Sequence, residues 1–329
     1  MFPCTRGKHT QEEDNTVYFS SLIAFTLKGT EKYASSKNKR TIDSVVQQIT
    51  KNYKFYRNTK DSITYNFWNT APEQHFPHSI LGKKKKFQLP DDADCTSIIY
   101  LSDDKINEIT VLKQKLQQHA NSKEHPIKNI FARYKKYAAY TTWFGKKMPQ
   151  EFDLCVQTNI LYFVFENKLQ FTHNDSATLQ LLHDLIVSGD YLKYAFYLSP
   201  SYKSKPIVLY HLARLIGTFN PPALVDCKEI LLKDIYSLTP FYRNYMDEQL
   251  LGNALLRLSS MAFDFKISLP NYADINNYSF FCADLFSPYA RPSLRFISAS
   301  RLFAIPFRCK AYNLTLLLEY ELLKNNQKL

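Results

Sequence analysis

The sequence predicts an all-α protein, and three observations predict it. Apolar residues recur at helical spacing in about a dozen segments. No run alternates apolar and polar residues over a useful strand length. Glycine is scarce, 7 in 329 residues, roughly 2% against a usual ~7%. That scarcity argues against Gly-rich phosphate loops and against β-rich folds with many tight turns. Hydrophobic residues make up 45% and charged residues 22%, enough for a sizeable core and too apolar for global disorder.

Taken in order, residues 1–15 are polar and read as a disordered tail. Residues 16–28 form a first amphipathic helix and 41–53 a second, with Asp43 and Ser44 suited to its start. A proline-punctuated loop follows up to Pro90 and carries Lys83, Lys84, Lys85 and Lys86, a solvated run or a rim for an anionic group. The next helix runs from Asp91 or Asp92 to Leu101. Further helices are predicted over 107–118, 129–143, 153–167, 176–188, 191–198, 206–218, 223–238, 247–261, 277–286, 298–303 and 311–324. Pro221, Pro222, Pro240, Pro270, Pro288 and Pro292 punctuate the joints. No composition break divides the chain, so 1–329 reads as one domain. Successive helices pair into hairpins every 40–50 residues or so, as in a bundle, a solenoid or a closed ring of hairpins. Without a clear repeat or polar caps, the expectation is an α/α toroid of about twelve helices, whose last hairpin packs on its first.

The net charge of +12 suits an anionic partner: a diphosphate, an acidic membrane surface or a nucleic acid. The six cysteines are widely spread, without CxxC or paired histidines, which disfavours a zinc framework and a disulfide scaffold. No signal peptide and no membrane-length apolar run is visible, so a cytoplasmic protein is expected, with room for peripheral membrane contact.

The most informative stretch is Leu89-Pro90-Asp91-Asp92-Ala93-Asp94-Cys95-Thr96-Ser97. Acids at a helix start ordinarily cap it. Buried together, however, carboxylates cannot all ionise cheaply, and one retains its proton at neutral pH. Such an acid can protonate an alkene or epoxide when water is excluded, and aromatic faces stabilise the resulting cation. The chain has 24 Phe and 23 Tyr to supply them.

Asp92-Ala93-Asp94-Cys95-Thr96-Ser97 resembles the DxDD-T-A motif of class II terpene cyclases, the group that includes squalene–hopene cyclase. Phe152-Asp153-Leu154-Cys155-Val156-Gln157-Thr158-Asn159-Ile160-Leu161-Tyr162 is similar to a VDxxxNxNxLxYL-type helix of bacterial proteins in the same α/α-toroid superfamily, and Thr142-Trp143-Phe144-Gly145 fits the segment before it. The likeness runs thinly from about Thr16 to Met261. It implies a single toroid that cyclises or isomerises a prenyl or prenyl-diphosphate substrate. Asp94 would be the general acid and Asp92 its partner, with Asp91, Cys95 and Thr96 in support. Trp143, Asp153, Asn159, Tyr162, Tyr210 and His211 are the expected cavity wall, and Lys83–Lys86 the expected anion-binding rim. The mechanism requires no cofactor, although Mg2+ would accompany a diphosphate. Cys95 departs from the motif's last Asp, and a thiol is no carboxylate. The QxxxGxW repeats of triterpene cyclases are absent.

Three other readings compete. Asp103-Asp104-Lys105-Ile106-Asn107-Glu108 and Asn174-Asp175 with Thr178 are partial matches to Mg2+-binding prenyl motifs, and the second lacks an acid at Leu182. Tyr53–Arg57 and Arg133–Tyr137 interleave cations with aromatics, as nucleic-acid contact would require, but an amphipathic helix gives the same pattern. Loss of chemistry, leaving a toroid that binds or scaffolds, is the alternative that Cys95 favours.

Overall fold

The structure is a computed structural model, and it describes residues 1–8, 11–70, 88–242, 244–259, 267–284, 287 and 304–326. Helices dominate, but the chain is not all-α: a small antiparallel sheet joins its two ends. Two classes of helix differ in how far burial extends around them. In α1 (Tyr18–Thr30), α3 (Ala93–Ser102), α5 (Leu154–Glu166), α9 (Lys205–Phe219) and α11 (Tyr245–Leu258) most residues are buried, and in α3 every residue is. In α2 (Ser36–Thr50), α4 (Ile109–Gln118) and α10 (Cys227–Leu238) only one stripe is buried: Ile42 and Ile49; Leu112, Lys113 and Leu116; and Cys227, Leu231 and Ile235. A helix apolar all round must be surrounded, whereas a striped one lies outside.

The packing follows that distinction. α1 packs on α3, α3 on α5, α5 on α9, α9 on α11, and α11 on α13 (Lys310–Asn326), which packs back on α1. The contacts therefore close on themselves through six helices. α2 lies against α1, while α10 touches α6 (His173–Val187), α9 and α11. The short α7 (Asp190–Lys193) and α8 (Ala195–Leu198) precede α9, and α12 (Tyr272–Asn277) lies against α11 and α13. No helix among the described residues is long and apolar enough to cross a membrane.

Capping fixes several helix starts. Asp92 accepts from Cys95 N at 2.7 Å, Asp153 caps α5, and Thr172 with Asp175 forms a capping box on α6. Pro206 occupies the first turn of α9, where its missing N–H is no loss, and Asn220 ends that helix in the left-handed region at φ 44°.

Three expectations are corrected. Residues 1–15 are not a disordered tail: β1 (Cys4–Arg6) and β2 (Glu12–Asp14) form half the sheet, whose order is β2-β1-β4-β3. Asp14 anchors them by accepting from Trp68 Nε1 at 3.0 Å. The helix expected over 277–286 gives way, in its described part after Asn277, to β3 (Phe281–Asp284), which pairs with β4 (Ala304–Arg308), Cys282 opposite Pro306. Residues 129–143 hold only a 3-10 turn, Ala132–Tyr134. There the chain trades intrahelical bonds for tertiary ones. Asn121 takes the carbonyls of Lys135 and Tyr137, Tyr140 N bonds Thr178, and Trp143 bridges to Asp92. The predicted helix over 298–303 lies outside the described residues.

Candidate active site

The three acids of the Asp91–Asp94 stretch go to different places. Asp91 accepts from Asn58 Nδ2 and Thr64 Oγ1, each at 2.5 Å, and from Asn66 Nδ2 at 3.1 Å. It lines a polar pocket of about 420 Å³ with Lys60, Lys115, Lys146 and Lys147. Asp92 and Asp94 instead line a separate cavity of about 70 Å³, although Leu89 reaches both spaces. Its walls include Tyr18, Phe67, Trp68, Trp143, Phe281 and Phe307. The sheet thus supplies two of the aromatic walls, since Phe281 lies in β3 and Phe307 in β4. Tyr18 and Phe281 meet with ring centroids 4.7 Å apart.

Asp94 is 4% exposed and held at both oxygens. Asn159 Nδ2 donates to Oδ1 at 2.6 Å, and Tyr202 donates to Oδ2. Asn159 in turn accepts from Arg214 Nη2 at 2.5 Å, and the Tyr202 hydroxyl meets that of Tyr18. Arg214 is itself buried, its guanidinium 4.7 Å from the Phe25 ring centroid and 5.3 Å from that of Tyr210. Burial raises the Asp94 pKa, while the bonds from Tyr202 and Asn159 and the Arg214 charge work against it. Burial, with Asp94 adding repulsion, pushes Asp92 up to about 8. Cys95 is driven well above its ordinary range by burial and by both acids, so it is a neutral thiol.

Two further acids border this site. Glu151 lines the cavity and accepts from Trp143 Nε1 at 2.8 Å and from Ser287 Oγ. Burial, with Asp153 adding repulsion, lifts it to about 8. Asp153 accepts from Cys155 N at 2.9 Å, Ser199 Oγ at 2.8 Å and Ser201 N at 2.9 Å, and burial lifts it to about 7.

Of the expected wall residues, Trp143 lines the cavity. Asp153, Asn159, Tyr210 and His211 are fully buried but are not among its lining residues. Asn159 positions Asp94, and Asp153 caps α5. Tyr210 donates to Glu319 at 2.7 Å. His211 bonds the Ile207 carbonyl at 2.9 Å and packs against Tyr202, and burial lowers its pKa well below the usual value, so it is neutral. Tyr162 sits between Phe25 and Phe219 instead, at centroid distances of 4.9 and 4.7 Å. Thr96 supports the backbone rather than an acid, accepting from Tyr65 N at 3.0 Å. Lys83–Lys86 lie outside the described residues.

The competing acids are engaged elsewhere. Asp104 pairs with Lys28 at 2.6 Å, Glu108 with Arg57 at 2.7 Å, and Asp175 with the buried Lys113. Arg133 and Tyr134 both bind Asp190. The sequence alone does not single out Tyr18, Tyr202, Glu151 or Arg214 as site residues. The buried Arg among apolar helix residues was the one available signal.

Comparison with protein-family models, curated proteins and solved structures finds no match to this chain.

Proposed function

We propose that the six-helix closure is the inner ring of an α/α toroid and that the protein acts as a class II terpene cyclase-like enzyme. The observation that carries this reading is the pairing of two buried acids, Asp92 and Asp94, on one wall of a cavity faced by aromatic rings. Asp94 donates its proton to a terminal alkene or epoxide of a prenyl chain. The π electrons, or an epoxide oxygen lone pair, take the proton, and the Asp94 carboxylate remains. Asn159, backed by Arg214, and Tyr202 then hold that carboxylate with charge-assisted bonds. Trp143, Trp68 and Phe67 face the carbocation. The final carbocation gives up a proton to the Tyr18 hydroxyl, which relays one through Tyr202 to the Asp94 carboxylate, so an alkene product leaves and the acid is restored. An anionic head group lies in the polar pocket beside Leu89, toward Lys146 and Lys147. Mg2+ accompanies a diphosphate if the substrate carries one.

One measurement of size favours a second reading. About 70 Å³ admits a few waters, whereas ligand pockets begin near ~300 Å³. A diverged toroid that binds or scaffolds, with no turnover, fits so small a cavity and the neutral Cys95. Incubation with farnesyl diphosphate, geranylgeranyl diphosphate and squalene separates the two. The cyclase reading expects cyclised or isomerised product from at least one of them, reduced by about 100-fold or more in Asp94→Asn. Folded wild-type protein that turns over none of these overturns it in favour of the second.

A further inference from the structure

Away from the aromatic cavity, the outer helices bring together three side chains of different ligand chemistry. His183 lies on α6, and Asp226 and Cys227 begin α10, which packs against it. A ring nitrogen of His183, a carboxylate oxygen of Asp226 and Sγ of Cys227 all lie within 4.8 Å of one another. Among the described residues this is the only such group of three or more His, Cys, Asp or Glu. His183 Nε2 faces Asp226 Oδ2 at 3.0 Å.

The ring is also held from behind. Asp184 Oδ1 lies 3.3 Å from His183 Nδ1, and Asp184 is fixed by Gln180 Nε2 at 3.0 Å and by the Tyr137 hydroxyl. A histidine whose second nitrogen donates to an oriented carboxylate is the arrangement that presents the first nitrogen to a metal.

We infer that His183, Asp226 and Cys227 bind a borderline divalent cation of the zinc class. One imidazole and one thiolate disfavour Mg2+ and Ca2+, which take oxygen ligands, and suit Zn2+. Asp226 is exposed and gives access from solvent, while Cys227 is buried and backs the site. Three protein ligands leave the fourth tetrahedral position to water. The cation ties α6 to α10 and displaces the Nε2 and thiol protons to solvent. The competing arrangement has no metal: a protonated His183 bridges Asp184 and Asp226, and Cys227 is ordinary packing.

Titration of the full-length reduced protein with Co2+ decides between them. One equivalent is expected to bind, with a near-ultraviolet thiolate charge-transfer band and visible bands of a tetrahedral site, all displaced by Zn2+. The charge-transfer band disappears in Cys227→Ser, and His183→Gln weakens binding by about 10-fold or more. Zn2+ raises the melting temperature of the wild type and not of His183→Gln, and metal-free melts of the three proteins report on folding. His183→Gln replaces a partly exposed side chain, so it remains informative if Cys227→Ser does not fold. Absence of the band in wild-type protein overturns the site. So does a band that survives in Cys227→Ser, or an affinity unchanged in His183→Gln.

Discussion

Two buried clusters of charge occupy the ring of six helices, and they are built on opposite plans. In the first, around the aromatic cavity, Asp92, Asp94, Glu151 and Asp153 crowd together and all have raised pKa values. Against them stands Arg214, which reaches Asp94 through Asn159. In the second, Glu319 accepts from Tyr210 at 2.7 Å and pairs with Arg257, whose guanidinium it holds charged. The second plan satisfies a buried charge with its opposite. The first leaves protons as the main means of neutralising acids. A cluster that must hold protons costs stability near neutral pH.

Breaking the paired cluster should give a large effect. Arg257→Met strands the Glu319 carboxylate and is expected to destabilise the fold by about 3–5 kcal/mol in denaturant unfolding. Arg257→Met combined with Glu319→Leu should recover most of that loss, since no uncompensated charge remains. A single variant as stable as wild type would show that Tyr210 and Arg214 already satisfy Glu319, and the contrast between the clusters would fail.

The crowded cluster should show itself through pH. Asp92 has a folded pKa of about 8 against an ordinary 3.8, so between these values the folded state holds a proton that the unfolded chain releases. Its contribution is fully present below about pH 4 and is lost as pH rises toward 8, and Glu151 and Asp153 share that sign. Asp92→Asn keeps a capping side chain on α3 but cannot ionise. The variant should match wild type near pH 4 and gain on it by up to about 1.4 kcal/mol per pH unit up to pH 8. Unfolding midpoints in a pH series measure this directly, and parallel curves would mean that Asp92 does not carry the proton.

How much of this was legible follows from sequence distance. Asp92 and Asp94 are neighbours in one helix turn, so their pairing and capping could be read from spacing. Asn159 and Tyr202 reach Asp94 across 65 and 108 positions, and no local pattern encodes such contacts. The inner helices were legible because apolar residues recur along them. The sheet was not, because strands of three to five residues are too short to display alternation. Residues 129–143 carry a helical pattern, and tertiary bonds to Asn121, Thr178 and Asp92 override it. The Leu89–Ser97 stretch presented three acids as one motif, and geometry divided them between two pockets.

That division supplies the smallest test. Asp91 lies one residue from Asp92, yet its carboxylate is spent on three neutral donors, Asn58, Thr64 and Asn66, in the polar pocket. Asp91→Asn replaces an acceptor oxygen with an amide that must itself donate, so at least one of these bonds is lost. The expected cost is about 1–2 kcal/mol of stability by thermal or denaturant unfolding. Turnover of any substrate accepted by the wild type should persist, because Asp91 does not line the aromatic cavity. If Asp91→Asn instead removes product formation as fully as Asp94→Asn, the three acids act as one unit. The boundary between architectural and chemical carboxylates would then fall outside this stretch rather than within it.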